Sequence, residues 1–125
     1  METQVKYFTP QEARKSLPLV KRIVRDILNT AYEIRMITEF NGGKFEGNSQ
    51  IYLLKEQINN YIKELEEIGC SFKDWNFEVG LVDFPSIING EEVFLCWRSD
   101  EDDIKFYHGL TEGYIGRKPI PEEYL

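Results

Sequence analysis

The chain is poor in the residues that most often announce a chemistry. It has one histidine and two cysteines in 125 residues. Cys70 and Cys96 form no C-x-x-C pair, and neither has a histidine at zinc-ligand spacing, so no metal is assigned from the pattern. No apolar run approaches the roughly 20 residues that cross a bilayer. The amino-terminal stretch METQVKYF lacks the apolar centre of a secretory leader. Positive charge is also scarce. The 15 Lys/Arg face 22 Asp/Glu, a net charge of −7, and no basic stripe interleaved with aromatics compensates. A surface of that sign repels phosphate backbones. The expectation is a cytoplasmic protein with reduced thiols, no cofactor, and neither a membrane nor a nucleic acid as partner.

Aromatics, by contrast, make up 14% of the chain, which argues against disorder. The length suits one domain with a real core, needing neither disulfide nor metal to fold. Charge is uneven: residues 1–40 hold seven Lys/Arg against five Asp/Glu, and residues 41–125 eight against seventeen. The basic group Arg14, Lys15, Lys21, Arg22 and Arg25 is read as the wet face of a helix, or as a dock for an acidic surface, such as the sheet half of a second copy.

FTPQEARKSLPLV opens with helix-start chemistry: Thr9 as N-cap, Pro10 at the first position, and Glu12 completing a capping box. Pro18 either kinks one helix or separates a short helix from a second capped by Ser16. Val20, Ile23, Val24, Ile27, Ala31, Ile34 and Ile37 then recur at helical spacing until the glycine-rich loop EFNGGKFEGNS. A second helix carries Ile51, Leu54, Ile58, Tyr61, Ile62, Leu65 and Ile68 on one face and stops at Gly69. Short connection and matching stripes predict an antiparallel helical hairpin over residues 1–69.

Residues 70–125 change period. Asn89-Gly90 between two apolar runs predicts a two-residue hairpin turn, since a type I′ turn needs φ > 0 at both central residues. That register sets Ile88 opposite Glu91, Phe84 opposite Leu95, Asp83 opposite Cys96 and Val82 opposite Trp97. One face then gathers the apolar set Val82, Phe84, Ile88, Val93, Leu95 and Trp97 and is expected to pack on the helices. The other carries Asp83 and Arg98, diagonal neighbours expected to pair, because a buried charge survives only with a partner. SDEDD is read as a solvated turn to a third strand, IKFYH. A five-residue loop places His108 on the Asp83 face; a four-residue loop turns it toward the helices. The first groups the polar residues and is preferred.

His108 is read either as a general base or metal ligand, or as a hydrogen-bonded residue fastening the sheet to the tail, the second being preferred. Asp83, Glu101 and Glu112 are the carboxylates that would join His108 around a metal ion. Cys96 beside His108 suggests a nucleophile, against which Leu95 and Trp97 speak for burial. Arg98, Arg117 and Lys118 suggest an anion pocket, or else ion pairs of Arg98 with Asp83 and of Arg117 with Glu101 or Glu112, the reading preferred.

The residues so placed also carry a likeness. FTPQEARKSLPLV, GLVDFP, LCWR, an acidic residue at Glu101, the pair Tyr107-His108 and the G-x-x-G-R-x-P stretch Gly113–Pro119 are similar to the family known as domain of unknown function 2203, small prokaryotic proteins. That family often reads Trp-His-Glu where this chain has Tyr107-His108-Gly109, so its acidic residue after the histidine is not matched here, and Glu112 is the acid nearby. The resemblance implies no activity.

The expected fold is therefore α+β. A long antiparallel helical hairpin packs on a small three-stranded antiparallel β-meander, with an ordered C-terminal tail, in one domain over residues 1–125. The helical stripe outruns what such a sheet can cover, which predicts a homodimer through the helices. Two functions follow: a non-catalytic homo-oligomeric binding or adaptor protein, or a protein binding a small anion or divalent metal at Asp83, Arg98, Glu101, His108, Glu112 and Arg117. Catalytic residues are not assigned.

Overall fold

The computed structural model describes residues 5–125; the first four residues, on which the reading of the amino terminus partly rests, lie outside the described part. Helix α1 spans Pro10–Phe40 and α2 Ser49–Ile68. The sheet strands are β1 Ser71–Phe72, β2 Leu81–Ile88, β3 Glu91–Arg98, β4 Phe106–Gly109 and β5 Lys118–Pro119.

Local chemistry explains both helices. Thr9 and Glu12 form the reciprocal capping box, each side chain accepting the other's backbone N–H at 3.1 Å. The helix runs unbroken through Pro18, which settles the choice between one helix and two. Pro18 is exposed, on the face where a lost backbone hydrogen bond costs least. Asn48 caps α2 by accepting from Ile51 N at 3.0 Å, and Gly69, at φ 112°, ends it in the left-handed conformation.

The sheet is where the expectation needs correcting. It has five antiparallel strands in the order β1-β2-β3-β4-β5, not three. The central three are those expected. The two added strands are two residues each, too short to show any alternation, and Pro119 sits where only an edge strand admits it. Asn89 and Gly90, at φ 55° and 77°, make the tight turn, and the β2–β3 register is the one it dictates, with Asp83 opposite Cys96 and Val82 opposite Trp97. On β4, Phe106 lies opposite Cys96 and His108 opposite Phe94, the register of the five-residue loop.

One sheet face meets the helices. Val82, Phe84, Leu95 and Trp97 pack with Val20, Val24 and Ile27 of α1 and Leu65 of α2, all buried. Phe8 extends the β2 edge beyond β1: its N–H donates to Pro85 O at 2.7 Å, and its carbonyl accepts the Ser86 hydroxyl. Asp74, which nothing in the pattern marked, organises the loop between β1 and β2. Its carboxylate accepts the backbone N–H groups of Asn76, Glu78 and Val79. Two of the basic residues of α1 meet the acidic turn between β3 and β4. Lys21 Nζ donates to Asp102 O at 2.9 Å, and Arg14 pairs with Asp103 at 3.3 Å.

Candidate functional site

The sheet face turned away from the helices gathers the chemistry. Asp83 and Cys96 are direct cross-strand partners on β2 and β3, and His108 on β4 stands beside them, diagonal to Cys96. All three are buried, at 6%, 1% and 3% exposure. Their ligand atoms lie within 4.8 Å of one another. In front of them is a pocket of about 350 Å³, with Lys73, Leu110, Thr111 and Tyr114 around its mouth.

The hydrogen bonds of His108 fix its protons. Nδ1 lies 2.8 Å from its neighbour's carbonyl, Gly109 O, which can only accept, so Nδ1 carries a hydrogen. Nε2 lies 3.0 Å from Asp83 Oδ1. A contact of that length between a ring nitrogen and a carboxyl oxygen needs a hydrogen between them. That hydrogen bond joins the pair, each group being the other's polar partner. That lets it stay buried. His108 fastens β4 to β2, not the sheet to the tail.

Cys96 is an inert thiol as it stands. Burial first, and then the negative charge of Asp83, push it up to about 12, against a weaker opposing pull from Arg117, whose Nη1 is 4.0 Å from the sulfur. Both imidazole nitrogens are already engaged, so no base is left to activate it.

The remaining candidates form a separate latch beside the pocket. Arg117 grips Glu101 with two parallel bonds of 2.9 and 2.7 Å and lies over the rings of Phe106 and Tyr114. Burial alone would raise the Glu101 carboxyl, but the hydrogen bonds from Arg117 and from the Arg98 N–H outweigh it and hold the group below its ordinary range. Arg98 does not pair with Asp83. It sits at the far end of β3, donates to the Tyr114 hydroxyl at 2.7 Å and lies 3.2 Å from Asp100. Asp83 turns the other way, to His108. Glu112 accepts the Gly109 N–H at 2.7 Å and shapes the turn after β4; Lys118 lies 3.9 Å from it. Of the six candidates, only Asp83 and His108 meet in the pocket. Cys96 belongs with them, and so does Lys73, which no motif announced.

The family model described as Uncharacterized conserved protein (DUF2203) matches residues 6–120, from just before α1 to just beyond β5. The chain belongs to the DUF2203 family. No curated protein and no solved structure matches it. The DUF2203 match takes in Asp83, Cys96 and His108, the Glu101–Arg117 latch and the pocket mouth together. Among the described residues of this DUF2203 protein, no helix is long and apolar enough to cross a membrane.

Proposed function

We propose that this is a non-catalytic binding protein whose small polar ligand seats in the pocket before Asp83 and His108. The observation that carries this reading is the state of the pocket's groups. A buried Asp–Cys–His set lines its floor, yet both His108 nitrogens are hydrogen-bonded and the thiol is held protonated. Nothing there is free to act as base or nucleophile, whereas a concave, partly apolar site with a few convergent polar groups suits recognition. Lys73 makes no ion pair among the described residues and offers its charge at the mouth, beside the hydroxyls of Thr111 and Tyr114. That favours a small hydroxylated anion. The cytoplasm, where Cys70 and Cys96 stay reduced, is the fitting compartment.

A thermal-shift screen of small hydroxy acids and phosphate esters tests it. A true ligand at about a hundredfold excess over its Kd adds about 2.7 kcal/mol of stability. Lys73→Met should abolish the shift and leave the unliganded protein unchanged. A hit indifferent to Lys73, or no hit at all, overturns the reading.

The homo-oligomeric, adaptor-like reading keeps one observation in its favour. Tyr32, Met36 and Phe40, spaced four apart on the outer face of α1, are 59%, 49% and 91% exposed. A second copy packed through the helices would cover them.

A further inference from the structure

Resting on the pocket reading, we infer that Asp83, Cys96 and His108 form a three-residue site for a zinc ion, whose fourth coordination position opens into the pocket. Each ligand comes from a different one of three adjacent strands, so the sheet holds the set together without help from loops. A tetrahedral zinc with bonds of about 2.0–2.3 Å spaces its ligand atoms about 3.3–3.8 Å apart. Here Nε2 and Oδ1 are 3.0 Å apart and the whole set falls within 4.8 Å, so side-chain shifts of about an ångström close it on the metal.

Three further features fit an ion. The first is the orientation of the imidazole. Nδ1 donates to Gly109 O, the arrangement that fixes a ligating histidine and leaves Nε2 pointing at the metal. The second is charge. With the ion bound, carboxylate, thiolate, imidazole and Zn²⁺ sum to zero, so the buried set would be neutral. Arg117 beside the sulfur adds no net charge, because Glu101 neutralises it through both oxygens. The third is selectivity: a thiolate and an imidazole exclude magnesium and calcium, which prefer oxygen ligands, and suit zinc. Three protein ligands leave one position of a tetrahedral zinc open, and in a binding site the anion would fill it in place of a reactive water. The anion expected at Lys73 and Thr111 would then reach the metal with one of its oxygens.

The test uses the full chain, stripped with a chelator and titrated with Zn²⁺ against a chromogenic competitor, and separately with Co²⁺. The expected result is one ion per chain. Co²⁺ should show the intense visible bands of a four-coordinate site and a thiolate charge-transfer band in the near ultraviolet. Cys96→Ser should remove that band and weaken Zn²⁺ by more than the ~100-fold typical for loss of an outer-shell partner, while Cys70→Ser changes nothing. Asp83→Asn, nearly isosteric, should weaken Zn²⁺ with the fold intact by circular dichroism, which covers the case of a poorly folding Cys96→Ser. No binding, binding without the thiolate band, or a Zn²⁺ affinity in Cys96→Ser and Asp83→Asn equal to the parent's overturns the site. If zinc fails while the anion screen still responds through Lys73, the metal inference alone falls; if both fail, the pocket reading falls with it.

Discussion

At the scale of single residues, the Asp83–His108 pair is the most exacting feature. Because a proton must lie between Nε2 and Oδ1, the two partners are not interchangeable with any polar residue of similar size. Asp83→Asn brings its own N–H to the position of that proton and leaves a neutral ring as acceptor, so it should cost only about 1 kcal/mol. Asp83→Ala leaves a buried imidazole edge without a partner and should cost about 3 kcal/mol or more. Urea unfolding of the two variants measures the difference, and equal losses would show that the shared proton does not matter. Gly80 is exacting for a steric reason. A Cβ built there would fall 2.3 Å from Val24 Cγ1 and 3.0 Å from Ser99 Cβ. Its neighbours are a core valine and the residue whose hydroxyl accepts the Gly80 N–H at 2.9 Å. Gly80→Ala should therefore lose about 1–3 kcal/mol, the usual cost of overpacking, with an unchanged m-value.

At the scale of elements, the acidic turn between β3 and β4 is more than a solvated connection. Glu101 accepts from the Arg98 N–H at one end and grips Arg117 at the other, so it ties the tail to the turn. Its carboxyl is lower in the folded chain than unfolded, so the stability it adds is fully present above the ordinary glutamate range, near 4.5. That stability is lost as pH falls through the folded value. Glu101→Gln should accordingly lie about 1.5–3 kcal/mol below the parent at neutral pH, and the gap should close in acid. A gap independent of pH would mean that shape, not charge, holds the latch. This latch shows how far the sequence could be read. Asn89-Gly90 alone predicted which residues share a face with Asp83, because a two-residue turn admits one register. The preference for the longer loop correctly aimed His108, since only that register grouped the polar side chains. Two things escaped the pattern. The edge strands β1 and β5 are too short for any period, and with them went Lys73, which directly follows β1. The partner of Arg98 escaped too: where the tail lies it meets Tyr114 and Asp100 and not Asp83, whereas Arg117 pairs with Glu101, one of the two acids expected for it.

At the scale of the whole molecule, the two layers differ in length. Helix α1, with 31 residues, is about 46 Å long at ~1.5 Å per residue. The longest strands, of eight residues, reach about 26 Å. The buried positions of α1 end at Ala31, and Ile34 and Ile37 beyond it are only half-buried. Over that last stretch, α1 turns Tyr32, Met36 and Phe40 outward. Together with Ile34, Ile58 and Phe77, which line an apolar groove of about 380 Å³ between the helices and the 74–79 loop, they leave the far end of the helices poorly covered. A four-helix contact between two copies would bury both features, and a self-complementary two-fold contact needs no partner of other chemistry. Light scattering on the full chain should therefore give the mass of a dimer at micromolar concentration. Met36→Glu, on an exposed position that costs the single chain little, should shift it to the monomer, because each dimer would bury two uncompensated charges. The same substitution should leave zinc and anion binding intact, since the pocket lies on the opposite face of the sheet. A monomer in the parent chain would end the homodimer, and loss of pocket binding in Met36→Glu would mean that the two ends of the molecule are coupled.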